Sequence, residues 1–142
     1  MNMAKQLHEI REQQKAIVLM MERSEYLRAT LYGRAIRYDG DKVQQSAADM
    51  MCARLTEVCD RDARIRKRQK RLDRRKDQIR QLMRQLPDDH ARVLDLYYLA
   101  TKPNGRLLSW REVSIIVGAS ERHVMRLSAE GVEKMNEITY IY

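Results

Sequence analysis

Apolar residues recur along this chain at spacings that predict helices. Val58, Ile65, Leu72, Ile79 and Leu86 return every seven residues without exception, the heptad period of a helix that keeps one seam against a neighbour. The companion seam positions are Leu55, Asp62, Gln69, Lys76 and Met83, so one side of the seam is always apolar and the other turns polar through the middle. Ser46 with Asp49 three residues on resembles a capping box, and Pro87 cannot continue a helical hydrogen-bond ladder, so this helix is expected from Ser46 to Leu86. Upstream, Leu7, Ile10, Ile17 and Met21 fall at helical spacing with Gln14 breaking the stripe, and Met20, Leu27 and Leu31 carry it onward after a shift. A helix over about Met3 to Leu31 follows, its methionine-rich face read as packing.

The period is lost over residues 33–45, where Asp39-Gly40-Asp41 is a turn signal, and this stretch is the linker. Tyr32, Arg34, Arg37 and Tyr38 interleave rings and cations there. They read first as a cover for the end of the coil and second as a nucleic-acid contact.

Beyond Pro87 the elements become short. Asp88-Asp89 opens a helix where negative charge suits the dipole, with Val93, Leu94, Tyr97 and Tyr98 on its apolar side. Ser109 followed by Glu112 is a capping box that starts another. Gly118 can take the left-handed turn that ends it, and Ser120 offers an oxygen to cap a last helix. Val113, Val117, Ala119, Val124 and Leu127 point inward if the two helices cross steeply, and Ser114 is small where they approach. That spacing is a helix-turn-helix. Ser120, Glu121, Arg122, His123, Met125 and Arg126 are left outside, a set rich in groups that hydrogen-bond base edges or phosphates, and Arg111 joins them from the preceding helix. Trp110 reads as core, and Gly131 in the final helix reads as a place where another helix crosses closely. The tail from Ile138 to Tyr142 is apolar enough to be buried or paired.

The fold class expected is therefore all-α: a long helical hairpin or coiled coil over residues 1–86, then a three-helix domain with a helix-turn-helix over 87–142. With 34 % charged residues and no phenylalanine among 142, almost no strand is expected.

Charge adds a partner. The formal net charge is +8, and its distribution is uneven. Residues 1–60 hold nine Lys/Arg against nine Asp/Glu, residues 61–84 twelve against three, and residues 85–142 seven against eight. The excess sits in one helix, and nucleic acid is its first-guess partner. Arg64, Arg68, Arg71 and Arg75 are the expected phosphate contacts.

Cys52 and Cys59 lie two helical turns apart, which excludes a disulfide between them, and they read as reduced packing residues. His8, His90 and His123 are scattered, so no metal site or other cofactor is expected. No apolar run approaches a bilayer span and no signal-peptide order is visible, so a soluble, cytoplasmic protein with no membrane partner is expected. A glycine-rich phosphate loop, a nucleophile motif and facing paired acids are all missing, so no enzyme is expected.

From Ser109 to Met135 the chain resembles the promoter-reading region 4 of sigma-70 family factors, carried by S-W-R-E-V, G-A-S-E-R-H-V-M-R-L, and a continuing helix with Val132 and Met135. Leu86 to Tyr98 is similar to the helix preceding that motif. With the charged helix upstream, the layout is similar to small phage and prophage regulators of the ArpU and RinA type. The resemblance is strong over the C-terminal third and is one of layout elsewhere. It implies a tri-helical DNA-binding domain with its last helix in the major groove and no catalysis, in a cytoplasmic protein of the bacterial host that acts alone or by contacting RNA polymerase. The loop from Thr101 to Leu108 is longer than the family's connection, and Gly131 interrupts the final helix.

The resulting expectation is a sequence-specific regulator of phage or prophage genes that binds double-stranded DNA. A half-polar seam can be met by an antiparallel fold-back or by a second copy, and a homodimer through the N-terminal helices is favoured because two half-sites need two reading heads. The alternative is a phage assembly or DNA-packaging subunit that joins a helix-turn-helix to an oligomerising coil. A ring of many copies would mark that alternative, and a dimer the regulator.

Overall fold

The computed structural model describes residues 2–37 and 44–141, with side chains placed for 2–31 and 48–139. The fold is all-α, with five α-helices among the described residues: α1 Met3–Arg37, α2 Gln44–Met83, α3 Asp88–Leu94, α4 Trp110–Val117 and α5 Glu121–Ile141. α3 runs directly into a π-helical turn, Asp95–Leu99. α1 thus extends past Leu31, and α2 starts two residues ahead of Ser46. α2 also stops at Met83, short of Leu86, because the amides of Gln85 and Leu86 turn back to Leu82 O and Met83 O at 3.2 and 3.0 Å ahead of Pro87. The expected turn at Asp39-Gly40-Asp41, the side chains of Tyr32, Arg34, Arg37 and Tyr38, the Ser46 cap and the end of the tail lie outside the described residues.

The chain divides into two compact units, one of Met1–Ala16 with Arg71–Tyr142 and one of Ile17–Lys70. In the Ile17–Lys70 unit, Ile17, Leu31 and Val58 are buried. Asp62, a polar seam residue, accepts from Ser24 Oγ at 2.6 Å and pairs with Arg28. Its lone pairs are thereby met by α1 of the same chain, which removes most of the penalty of placing a carboxylate in a helix seam. Leu55, an apolar seam residue, stays 44 % exposed. Cys52 and Cys59 are free and exposed, which corrects their reading as packing residues: both lie away from the buried side of α2 that carries Val58. The methionine-rich face of α1 is likewise packing only in part, since Met21 is exposed.

The other unit is larger than the region beyond Pro87. Met3, Leu7, Ile10 and Gln14 of α1 are buried in it, as are Leu72, Lys76, Ile79 and Met83 of α2. Polar contacts tie the start of α1 to distant segments: Met3 N donates to Asn136 Oδ1 at 2.9 Å, and Arg11 donates to Tyr97 O and to Leu108 O. The boundary that the sequence pattern marks at residue 86 is therefore not where these contacts fall. Val93, Leu108, Val113 and Val124 form the centre of the C-terminal core, with Leu96, Tyr97, Trp110, Val117, Ala119 and Leu127 packed around them.

Gly131 is the close approach of α3 and α5. A Cβ built on it would lie 2.9 Å from Leu94 Cδ1 and 3.4 Å from His90 Cβ. Alanine gains about 1 kcal/mol of helix propensity over glycine, but the fully buried Leu94 side chain would have to shift to admit it. Overpacking of this kind costs about 1–3 kcal/mol. Gly131→Ala is expected to lower the melting temperature despite the better helix former; an unchanged or raised midpoint in thermal circular dichroism would show that Leu94 yields.

Candidate nucleic-acid interface

Local chemistry explains each boundary of the α4–α5 pair. Ser109 sits in extended conformation at φ −83°, its Oγ accepts from Glu112 N at 3.3 Å, and its hydroxyl donates to Glu112 Oε1 at 3.2 Å. Lys102 adds an ion pair to Glu112 at 2.7 Å, and the lysine and Ser109 together hold that carboxyl below its ordinary value. The loop from Thr101 to Leu108 is thereby fastened to the first turn of α4. It is itself closed by a bridge between Thr101 and Leu107.

Gly118 ends α4 at φ 76°, ψ 32°, with its amide on Ser114 O at 2.9 Å. A Cβ there would meet nothing within 4 Å, so the left-handed backbone, not space, calls for glycine. Ser120 then caps α5, accepting from His123 N at 3.2 Å. Val113 and Val124 are fully buried, and Val117, Ala119 and Leu127 pack against them.

The opposite side of α5 is open. Ser120, Glu121, Arg122, Met125 and Arg126 are exposed and His123 is half-buried; Arg111 is exposed in the first turn of α4. Arg126 is held in place: its Nη2 lies 3.0 Å from His123 Nδ1, and its Nε 3.9 Å from Glu130 Oε1. Glu130 in turn lies 3.0 Å from His90 Nε2, and His90 with Arg126 and Lys134 keeps its carboxyl below the ordinary value. Two exposed isoleucines of α4, Ile115 (71 %) and Ile116 (47 %), were not among the expected site residues. Their signal was present, since they fall out of phase with Val113 and Val117.

The four expected phosphate contacts fare unequally. Arg64 and Arg68 are exposed in the Ile17–Lys70 unit, where Arg68 Nη1 lies 3.8 Å from Met20 Sδ. In the other unit Arg71 is exposed, while Arg75 pairs with Glu9 at 3.3 Å and is half-buried. Arg75 is thus already partly neutralised.

Among the described residues, no group of three or more His, Cys, Asp or Glu could hold a metal ion, and no helix is long and apolar enough to cross a membrane. Comparison with protein-family models, with curated proteins and with solved structures gives no match.

Proposed function

We propose that this protein is a sequence-specific DNA-binding transcription regulator, of phage or prophage genes by its resemblance, in which α4, the Gly118 turn and α5 act as a helix-turn-helix. α5 enters the major groove from its N-terminal end. The observation that carries the reading is the division of α5: Val124 is fully buried while Arg122, Met125 and Arg126 are exposed. Arginine pairs bidentately with guanine O6 and N7, and Met125 offers apolar contact to a thymine methyl. Ser120 and the free amides of the first turn suit a phosphate. Arg111 reaches the backbone from α4.

Two copies present two such helices to a pair of half-sites, in the bacterial cytoplasm and beside RNA polymerase as the sigma-like pattern implies. The seam residues Val58, Leu72, Lys76, Ile79 and Met83 are buried by the chain itself, so the dimer uses other surface. Leu19 and Tyr26, 66 % and 69 % exposed and two turns apart on α1, are available for it.

Replacing both Arg122 and Arg126 with alanine should remove about 2–6 kcal/mol of discrimination, at about 1–3 kcal/mol for each bidentate pair. Selection of sites from a random duplex library, followed by competition binding, measures this. An enriched motif shared by the variant and the wild type would refute the reading helix.

A further inference from the structure

We infer that Arg23, Arg61, Arg64 and Arg68 form a second nucleic-acid site in the Ile17–Lys70 unit, a cleft that grips the phosphodiester backbone without reading sequence. The inference goes beyond the role of α5 and stands whether or not α5 reads bases.

The four arginines line one cavity of about 270 Å³, together with Met20 and Ile65. Arg61, Arg64 and Arg68 stand at i, i+3 and i+7 on α2 and so share a face, and Arg23 is brought from α1. Two of the four are already engaged. Arg61 lies 3.7 Å from Glu57 across one turn, and Arg68 meets the Met20 sulfur. Arg23 and Arg64 have no carboxylate within ion-pair distance among the described residues. Like charges one turn apart on a helix repel by a few tenths of a kcal/mol per pair. A cleft of four cations against one carboxylate is therefore more stable with an anion in it than without.

The chemistry selects phosphate. Guanidinium forks match phosphate oxygens bidentately, and four cations gathered in one cleft suit the charge of a phosphate chain better than the neutral edge of a base. The spacing favours a chain of phosphates over a single one. From Arg61 to Arg68 α2 rises about 10.5 Å at 1.5 Å per residue, the axial length of about three phosphates of one strand at 3.4 Å each. Met20 and Ile65 give the cleft an apolar floor for the sugar edge. Counting charge along α2 alone could not find this site, because Arg23 lies 38 residues before Arg61 and sits in a stretch of balanced charge.

The test uses the full chain and a fluorescein-labelled 30-base-pair duplex of scrambled sequence, with anisotropy titrations between 50 and 200 mM NaCl. Each lost phosphate contact lowers the slope of log K against log salt by about 0.9. Arg23→Gln/Arg64→Gln should therefore lower it by about 1.8, and glutamine at all four positions by about 3 to 4. The pair variant guards against misfolding, and its circular dichroism and melting curve should match the wild type. Arg122→Ala/Arg126→Ala should keep the larger part of the wild-type slope on this duplex. A folded Arg23→Gln/Arg64→Gln protein with the wild-type slope overturns the cleft and leaves the reading of α5 standing. A lowered slope beside retained site preference in the α5 variant would do the reverse. If sodium pyrophosphate displaces the duplex from the wild type at the same concentration as from the pair variant, the cleft is likewise overturned.

Discussion

Arg11→Ala should cost the Met1–Ala16/Arg71–Tyr142 unit about 3 kcal/mol, although the residue lies 99 positions before Trp110 and would pass for a solvated charge. Its guanidinium donates to Tyr97 O and to Leu108 O, at 3.2 Å in the second case, and stands 3.8 Å over the Tyr97 ring. Tyr97 stacks on Trp110, the first residue of α4, with centroids 3.6 Å apart and planes 10° from parallel. Alanine would leave two carbonyls at the edge of the core without donors, at about 1–3 kcal/mol each where water cannot replace them. The lost cation–ring contact adds about 0.5–2 kcal/mol. Water entry offsets part of the sum, which brings the expectation to about 3 kcal/mol, a large share of the roughly 5–15 kcal/mol of a typical domain. Lysine should restore little, because one ammonium group lacks the planar fork that serves two carbonyls and a ring together. Trp110 is the sole tryptophan and reports this region directly. Urea unfolding followed by its fluorescence should show the midpoint moving down with an unchanged slope; a midpoint equal to wild type would remove Arg11 from the account of what positions α4.

That contact marks the limit of what the chain discloses by itself. The segment from Ser109 to Leu127 could be read because its determinants are local: a serine and a glutamate three apart, a glycine at the required left-handed position, and a second serine before the next helix. Each acts within one turn, and the sequence carries the pattern without help from distant residues. The inward and outward sides of α5 follow from the same periodicity. The participation of residues 3–14 in the C-terminal core has no such signature. Leu7 and Ile10 announce that α1 has an apolar face, but a 3.6-residue period does not say what covers it. Lys76 posed the same problem in reverse. As a polar heptad position it read as a weak point of a seam between helices, and its actual partner, Gln14, had been noted only as a break in another stripe. The two irregularities explain each other once the chain is folded. The π-helical turn at Asp95–Leu99 was also out of reach, since Arg80 fixes Asp95 at 2.8 Å and Arg11 takes the Tyr97 carbonyl, both from far away in sequence. In the candidate interface, what escaped was again contributed across elements: His90 of α3 meets Glu130, the carboxylate one turn from Arg126 on α5.

The Gln14–Lys76 pair yields the other large effect, and its sign depends on which partner is removed. Both side chains are buried, at 2 % and 4 % exposure, and Lys76 Nζ donates to Gln14 Oε1 at 2.8 Å. Gln14→Leu would leave an ammonium in the interior without that acceptor, and removal of one partner of a buried charge costs about 3–5 kcal/mol. Lys76→Met takes the charge away and removes one donor from Gln14 Oε1, while Gln14 Nε2 keeps Gly105 O at 3.4 Å; the lost donor costs at most about 1–3 kcal/mol and is offset by the end of the ammonium's desolvation penalty. With both replaced, two apolar side chains of similar length fill the site, and stability should return to the wild-type value or exceed it. The double-mutant cycle is therefore expected to show strong coupling. Titration separates the charge from the packing. Burial pushes the Lys76 ammonium below its ordinary 10.5, with Asp73 opposing and Arg80 assisting. The unfolded chain holds that proton more tightly, so between the lowered value and 10.5 it carries more protons than the folded protein, and stability climbs as pH rises through that interval. Below the interval both states are protonated and the penalty is complete. The difference in unfolding free energy between wild type and Lys76→Met should shift in favour of the wild type as pH is raised towards 10.5. A difference that stays constant across that range would mean that Lys76 meets water in the folded protein, and the expected cost of Gln14→Leu would fall with it.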